Sequence, residues 1–376
     1  MTTEKKINRI IVKFGTSTLT AGEKSLSKPR MIDLVKQVSI LCSAGLEVVL
    51  VTSGGIVAGR EKLNYPDLPK FLPAKQMLAA VGQPRLLFIY TQLFELFDRQ
   101  IAQVLLTRDD FVNRKRYLNA RNTIEALLEY GVIPIINEND TIATDEIRLG
   151  DNDNLSALVA NLLEADLLIL LTDQDGVFTA DPRKDSGAKL ISLISQQEIP
   201  EALLHAASGS ANGLGTGGMS TKLNAADLAR KSGTSVVIAN GNLENILPRL
   251  ALNRESLGTW FTASGTHLEN RKRFILSGLK ETIGELKIDS GAMKALKNGG
   301  SLLPIGIQSS SGKFHRGDSV NILDPNGRVI GIGLSNYEDE DVAKIIGTHS
   351  DNIAKILGFA FGEEVIHRDN LVLFSR

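Results

Sequence analysis

The stretch that decides the fold runs from residue 150 to residue 173 and reads GDNDNLSALVANLLEADLLILLTD. After four acid or amide residues, the apolar residues recur with the spacing of one helix face: Leu155, Leu158, Val159, Leu162 and Leu163. The uninterrupted apolar run 167–171 is typical of a strand that is buried on both faces of a parallel sheet. It ends in Thr172 and Asp173, at the position where strands of open α/β sheets meet ligand-binding loops.

The four polar residues at the start of this helix, 151–154, have two interpretations. Each side-chain oxygen can accept a free backbone N–H, so the residues could simply cap the helix. The alternative is a catalytic or binding role. It gains weight because several other apolar strands of this sequence also end in polar residues.

The composition limits the class of protein. A chain of 376 residues exceeds what one hydrophobic core usually supports, so we expect two domains. The net charge of −1 excludes a strong general attraction to nucleic acids or anionic membranes. The single cysteine, Cys42, excludes an internal disulfide, and its apolar neighbours predict a buried structural thiol. With no signal peptide and no run of membrane-spanning length, the sequence predicts a cytoplasmic protein.

Two early strands end in residues that could bind a ligand. Lys13 closes an apolar strand that begins at Arg9, and Gly15, Thr16 and Ser17 follow it. Lys13 could extend to solvent, or it could bind phosphate together with the free N–H groups of that turn. The next strand, 47–51, ends in Thr52-Ser53-Gly54-Gly55, where Ser53 is either a helix cap or a binding group at the same sheet edge.

A third strand, 132–136, ends in Asn137-Glu138-Asn139-Asp140-Thr141. Pro134 at its centre predicts an edge position or a local distortion, because proline cannot donate to a sheet ladder. With the strand that ends at Thr172, four strand ends carry polar residues. We therefore predict that the chemistry lies at this edge of the sheet.

Residues 211–222, ANGLGTGGMSTK, open a further helix that continues through Ala225 and Ala229. Glycines before a helix N-terminus, together with hydroxyls and Lys222, can form an anion site through backbone N–H groups and the helix dipole. The segment is not a Walker A loop, which needs lysine directly after glycine. A flexible linker is the alternative, and we favour a phosphate loop.

The periodicity predicts further helices at 31–44, at 75–97 apart from Gly82 and Pro84, and at 117–130. Beyond residue 257 the alternation of helix and strand stops. Short β-like runs follow at 301–307, 319–323 and 328–334, with a strong turn signal at 324–327. The C-terminal part is therefore predicted to be a small, mainly β domain.

Several of these segments together resemble glutamate 5-kinases of the amino acid kinase family: 13–17, 52–55, 137–140, 150–158, 172–173 and 216–222. The resemblance extends from about Arg9 to Phe261, and the tail resembles a PUA domain. Thr52 and Gly55 depart from it, since serine and alanine are more usual there.

The resemblance implies an α/β amino acid kinase fold, a three-layer sandwich around a mostly parallel sheet, with an additional small mainly-β domain. The implied boundaries are 1–262 for the kinase domain, 263–277 for a linker, 278–358 for the PUA-like domain and 359–376 for a C-terminal extension.

The implied reaction is ATP-dependent phosphorylation of the γ-carboxylate of L-glutamate, the first step of proline biosynthesis. Family motifs carry the catalytic role to Lys13, Lys222 and Asp153, and glutamate binding to Ser53, Asp140 and Asn152. The implied ATP-binding residues are Lys13, Thr172, Asp173, Thr216, Gly217, Gly218, Met219, Ser220, Thr221 and Lys222. Mg²⁺ is expected to bridge the phosphates, although the sequence identifies no protein ligand for it.

The chemistry of these residue types agrees with such a reaction. A γ-carboxylate has a pKa of roughly 4.3 in water, so it is ionised at neutral pH and needs no general base. Catalysis then requires holding two anions in line and stabilising the charge on the transferring phosphoryl group, a task for cations such as the two lysines.

The resemblance also implies proline as feedback inhibitor and a homo-oligomer, either a dimer or a tetramer, and it leaves open a glutamyl phosphate reductase partner. One alternative is another kinase of the family, acting on acetylglutamate, aspartate or a nucleoside monophosphate. Such enzymes would share the phosphate site, but segments 137–140 and 150–154 and the PUA-like tail favour glutamate. RNA binding by the tail is the second alternative. It is less favoured, because residues 271–376 contain 14 Lys and Arg against 13 Asp and Glu.

Overall fold

The computed structural model describes residues 7–68, 71–143, 151–196, 198–200, 203, 218–267 and 283–374. The chain divides into two compact units, one formed by Met1–Val112 and Ala120–His267, the other by Asn113–Asn119 and Leu268–Arg376. The predicted linker lies largely in 268–282, outside the described residues, and the predicted domain boundaries stay predictions. Within the described part, no helix is long and apolar enough to cross a membrane.

Up to residue 267, helices and strands alternate. The helices are α1 (Thr16–Thr20), α2 (Lys28–Ser43), α3 (Gly55–Lys62), α4 (Leu72–Glu95), α5 (Arg108–Val112), α6 (Arg114–Glu129), α7 (Asp151–Leu162), α8 (Met219–Lys231) and α9 (Ile246–Ala251). The strands are β1 (Arg9–Phe14), β2 (Glu47–Thr52), β3 (Ile101–Leu106), β4 (Ile133–Glu138), β5 (Leu167–Thr172), β6 (Leu193–Ile194), β7 (Ser235–Asn240) and β8 (Thr259–Phe261).

These strands form one sheet in the order β3-β4-β2-β1-β5-β7-β8-β6. All neighbouring strands are parallel except β7 and β8. In register, Phe14 at the end of β1 pairs with Thr52 on β2 and with Leu171 on β5. The carboxyl ends of β4, β2, β1 and β5 therefore lie side by side, and the predicted mostly parallel α/β sheet is confirmed.

The side chains of β1 show why the sheet is covered on both faces. Ile10, Val12 and Phe14 belong to a core that also contains side chains of α2, α4 and α9. Because successive residues of a strand point to opposite faces, Ile11 and Lys13 face the other side. There Lys13 contacts Asp153 of α7, which in turn contacts Lys222 of α8. The result is the predicted three-layer arrangement.

Helix α4 corrects one prediction, because it runs without a break through Gly82 and Pro84. Its glycine is required by close packing: a Cβ added to Gly82 would lie 1.7 Å from the carbonyl oxygen of Gly55 on α3. Glycine weakens helices, but at position 82 it is favoured by the close contact with α3. Local helix propensity takes no account of such a contact.

The edge position considered for Pro134 is wrong, because β4 lies between β3 and β2. On the β3 side, β4 is paired along its whole length, from Ile101–Ile133 to Leu106–Glu138. On the β2 side, pairing is limited to Ile135 and Ile136, which follow the proline directly. Pro134, which has no backbone N–H to donate, thus lies where the pairing of β4 with β2 is short.

The second unit contains a five-stranded sheet in the order β10-β9-β11-β12-β13. Its strands are β9 (Gly284–Ile288), β10 (Ile307–Gly312), β11 (Ser319–Leu323), β12 (Val329–Leu334) and β13 (Leu371–Leu373). Its helices are α10 (Ser290–Lys297), α11 (Asp339–Ile345) and α12 (Ile353–Leu357). The small, mainly β domain is confirmed.

Two local predictions in this unit differ in outcome. Residues 301–307 do not form a strand, because Pro304–Gly306 adopts a 3₁₀ turn and the strand begins only at Ile307. The turn at 324–327 is confirmed. Asp324 Oδ1 accepts hydrogen bonds from the backbone N–H groups of Asn326 and Arg328, and Gly327 has φ +79°.

Candidate active site

A buried carboxylate between two lysines lies at the carboxyl edge of the large sheet. Asp153, near the start of α7, has Oδ1 2.6 Å from Lys13 Nζ and Oδ2 3.3 Å from Lys222 Nζ. Asp153 is 0% exposed, Lys13 4% and Lys222 6%. The Thr221 hydroxyl also donates to Asp153 Oδ2, at 2.7 Å. One side chain thus joins β1, α7 and α8.

The electrostatics of the three groups are coupled. Burial would raise the pKa of Asp153, but the charges of Lys13 and Lys222 and the hydrogen bonds from Lys13 and Thr221 outweigh it and lower the pKa to about 2. The pKa of Lys13 is lowered from its ordinary value, chiefly by burial and further by Lys222, against the attraction of Asp153. Two ammonium groups and one carboxylate give the cluster a formal net charge of +1.

This excess positive charge indicates which kind of ligand the cluster can bind. A buried ion pair is costly unless its charges are balanced, because low-dielectric surroundings do not screen them. A buried cluster with one uncompensated cation therefore favours an anion beside it. Phosphate oxygens are such a ligand, and they would meet two ammonium groups whose positions Asp153 fixes.

The neighbouring strand end holds a second polar cluster. The Asn152 side-chain amide donates to Ser53 Oγ at 3.0 Å and to Asn137 Oδ1 at 3.1 Å. Asn152 Oδ1 is buried and has no hydrogen-bond partner among the described residues. The Ser53 backbone N–H donates to the carbonyl of Phe14, next to Lys13 in the chain. The structure thus brings two of the predicted glutamate-binding residues into contact, beside the lysine cluster.

The third predicted glutamate-binding residue, Asp140, lies in the turn that follows β4. It is half-buried and follows Asn139, whose N–H donates to the carbonyl of Leu106. The residues between this turn and α7, 144–150, lie outside the described part of the chain. The assignment of Asp140 to glutamate binding stays a prediction.

The predicted nucleotide-binding residues fall in two groups. Thr172 ends β5 and its hydroxyl donates to Asp173 Oδ1, so both lie at the same sheet edge as Lys13. Gly218 caps α8, whose first turn contains Met219, Ser220, Thr221 and Lys222. Thr216 and Gly217 lie outside the described residues. The described end of the glycine-rich segment is therefore a helix N-terminus beside the buried cluster, as an anion site requires.

The described residues contain no group of three or more His, Cys, Asp or Glu side chains arranged to hold a metal ion. The donor set of a dedicated Mg²⁺ cage is thus lacking in that part of the chain. Cys42, on α2, is partly buried rather than fully buried, and burial raises the pKa of its thiol. A thiol with a raised pKa has little nucleophilic character.

Sequence reasoning assigned no role to Asn137, although the structure links it directly to Asn152. The available signal was its position as the first polar side chain at the end of β4, the position that Thr52 has on β2.

Comparison with known proteins agrees with this geometry. Residues 8–240 match the amino acid kinase family and residues 284–357 match the PUA domain. The chain is 50% identical to the glutamate 5-kinase of Shewanella pealeana over 366 residues, which is 97% of each protein. It is 48% identical to that of Deinococcus radiodurans, covering 97% of this chain and 99% of the relative. The chain therefore belongs to the amino acid kinase family and, within it, to the glutamate 5-kinases that carry a PUA domain.

Proposed function

We propose that this chain transfers the γ-phosphoryl group of ATP to the γ-carboxylate of L-glutamate, forming γ-glutamyl 5-phosphate and ADP. The observation that carries the proposal is the buried Lys13–Asp153–Lys222 cluster beside the Ser53–Asn152 pair. A cationic site for phosphates thus adjoins hydrogen-bonding groups for an acceptor. The glutamate 5-kinases to which the chain is similar supply the identity of that acceptor.

In the proposed mechanism, the two lysines stabilise the transferring phosphoryl group. One oxygen of the ionised γ-carboxylate attacks the γ-phosphorus as the bond to the β-phosphate oxygen breaks, so no proton needs to be removed. Negative charge on the phosphoryl oxygens is met by Lys13 and Lys222. Asp153 is a positioning residue that holds both ammonium groups in place before the reaction, so that little reorganisation accompanies charge transfer.

Ser53 and Asn152 are proposed to orient the substrate. They lie at the same edge as Lys13, and Asn152 already donates to two neighbouring oxygens, while no described residue donates to its own carbonyl oxygen. Asn152 Oδ1 would gain a hydrogen bond from the substrate ammonium group, or would find a donor if the Asn152 side-chain amide rotated. Mg²⁺ would supply further positive charge at the phosphates of ATP, and the described residues contain no group of three or more His, Cys, Asp or Glu side chains that would hold it.

The test is turnover by the purified protein with ATP and Mg²⁺ in the presence of hydroxylamine, which traps an acyl phosphate as hydroxamate. L-Glutamate, N-acetylglutamate, aspartate and UMP are compared as acceptors. Glutamate-dependent hydroxamate with stoichiometric ADP is the expected result. Preferential turnover of another acceptor would contradict the glutamate assignment and retain only the phosphate site.

Three further proposals rest on the family alone. The reaction serves as the first step of proline biosynthesis, proline inhibits it, and the enzyme is a homo-oligomer. Repeating the hydroxamate assay with added proline tests the second proposal. Sedimentation of the intact chain tests the third.

Replacing Asp140 by alanine is expected to raise the KM for glutamate by roughly 10- to 100-fold, because a charged hydrogen bond to the substrate ammonium is lost. The KM for ATP should change little. Steady-state kinetics with each substrate varied in turn provide the measurement. Equal increases in both constants would argue against a specific role in glutamate binding.

A further inference from the structure

A series of polar side chains, two of them buried, extends from the candidate glutamate site towards helix α4. It begins at Asn137, whose Oδ1 accepts the hydrogen bond from Asn152. It continues to Gln83, which is 7% exposed, and to Gln103 on β3, whose amide donates to Gln83 Oε1 at 3.2 Å. None of these contacts was required by the mechanism described above.

The Gln83 amide group has an unused donor. Its Nε2 is buried and has no hydrogen-bond partner among the described residues. A buried N–H group without a partner is costly, so such a donor points to a ligand or a water molecule. A Cβ built on Gly55 would lie 3.1 Å from Gln83 Nε2 and 3.7 Å from Asn137 Nδ2. Two side-chain amide nitrogens thus lie within 4 Å of one point beside a residue that has no side chain.

A small cavity adjoins these amides. It has a volume of about 10 Å³, and its polar lining comprises Thr52, Gln83, Tyr90, Gln103 and Asn137. This is close to the smallest cavity that holds one water molecule, which also requires two to four polar partners. The Thr52 and Tyr90 hydroxyls, 2.8 Å apart, offer an acceptor in addition to the amide donors.

We propose that Gln83 is a positioning residue for the glutamate site and acts through one water molecule bound in this cavity. The water accepts a hydrogen bond from Gln83 Nε2 and holds the Asn137 amide in the orientation that presents Oδ1 to Asn152. With Asn137 fixed, Asn152 keeps its hydrogen bond to Ser53. The inference rests on the proposed function, because its consequence is expressed in glutamate binding.

Gln83→Met keeps the length of the side chain and removes its amide. It is expected to raise the KM for glutamate by roughly 5- to 30-fold, the size expected when a buried hydrogen-bonding arrangement is broken. The KM for ATP should remain unchanged. Gln92→Met, an exposed substitution on the same helix, is the matched control and should leave both constants unchanged.

A comparison of single and double variants distinguishes a positioning role of Gln83 from a general loss of stability, because changes in one network have non-additive effects on the glutamate KM. Gln103→Ala removes the donor that holds Gln83 Oε1 and should raise the glutamate KM in the same direction, by a smaller factor. The double variant should equal Gln83→Met alone, because both changes act through one network. Gln103 is exposed, so its variant keeps the proposal testable if Gln83→Met does not fold.

The outcomes distinguish this inference from the function on which it rests. If the wild-type protein produces no glutamate-dependent hydroxamate, the proposed function fails and the inference falls with it. If the wild-type protein is active and Gln83→Met matches Gln92→Met, or raises both KM values equally, only the positioning role is overturned.

Discussion

Replacing Lys222 by methionine is expected to lower kcat for glutamate phosphorylation by about 100- to 1,000-fold, the usual cost of removing one charge-stabilising group from a water-excluded site. Methionine fills a similar volume but provides no charge to the phosphoryl oxygens. Lys222 is buried and held by Asp153, so no exposed cation can readily take its place. Lys13→Met should have an effect of the same order.

The measurement is kcat and KM for both substrates, determined by ADP release. The control is Lys231→Met on the same helix, since Lys231 is 54% exposed and pairs with Asp227 away from the cluster. A variant with unchanged kcat and a raised KM for ATP would contradict the account. Such a result would show that Lys222 binds the ground state and the transition state equally.

Asp153→Asn is expected to lower the free energy of unfolding by about 3–5 kcal/mol near neutral pH, because two buried lysines lose their common counter-ion. Asparagine is nearly isosteric, so the loss is electrostatic rather than a cavity effect. Urea unfolding followed by the fluorescence of Trp260, the only tryptophan, reports on the unit that contains the cluster.

The pH dependence of this difference identifies its cause. The folded-state pKa of Asp153 is about 2, below its ordinary value of 3.8, so its stabilising contribution is present above about pH 4 and is lost as the pH falls towards 2. At alkaline pH the folded state binds fewer protons at Lys13 than the unfolded state does, because the folded-state pKa of Lys13 is lowered. In the Asp153→Asn variant, deprotonation at high pH removes the buried lysine charge that has lost its counter-ion, and so removes its destabilising effect. The difference between wild type and variant should therefore be largest near neutral pH and shrink on both sides.

Glu255→Gln provides the control for a surface ion pair. Glu255 lies 2.8 Å from Arg249, and both side chains are about one-third exposed. Its loss should change the free energy of unfolding only slightly, since exposed pairs are screened by solvent. An Asp153→Asn variant no less stable than Glu255→Gln would contradict the description of Asp153 as the counter-ion of two buried lysines.

The fold was largely predictable because its central strands carry an unambiguous pattern. The apolar run 167–171 forms all of β5 except its last residue, Thr172, and all six residues of the strand are buried, as a strand covered on both faces requires. The two errors within the large sheet and its helices have the same origin. Gly82 is explained by the approach of Gly55 from α3, and Pro134 by pairing that is complete on one side only. Neither contact is local in sequence.

For the candidate site, strand ends were informative and connections between them were not. Lys13, Ser53 and Thr172 could be named because each lies at or directly after the carboxyl end of an apolar strand, and parallel strands bring such ends together. The role of Asp153 as the link between two lysines came from the family resemblance. A short polar run at a helix start is equally consistent with capping. Gln83 could not be predicted, because its significance depends on Gln103 and Asn137, 20 and 54 residues further along the chain.

The central claim is that the γ-carboxylate of glutamate attacks the γ-phosphorus of ATP at this site. It is tested most directly by supplying glutamate labelled with ¹⁸O in the γ-carboxylate, trapping the product with hydroxylamine, and analysing the released phosphate by ³¹P NMR. The account predicts phosphate that carries one ¹⁸O atom, because the attacking carboxylate oxygen becomes the bridging oxygen and leaves with phosphorus. Glutamate-dependent ADP formation with wholly unlabelled phosphate would contradict it.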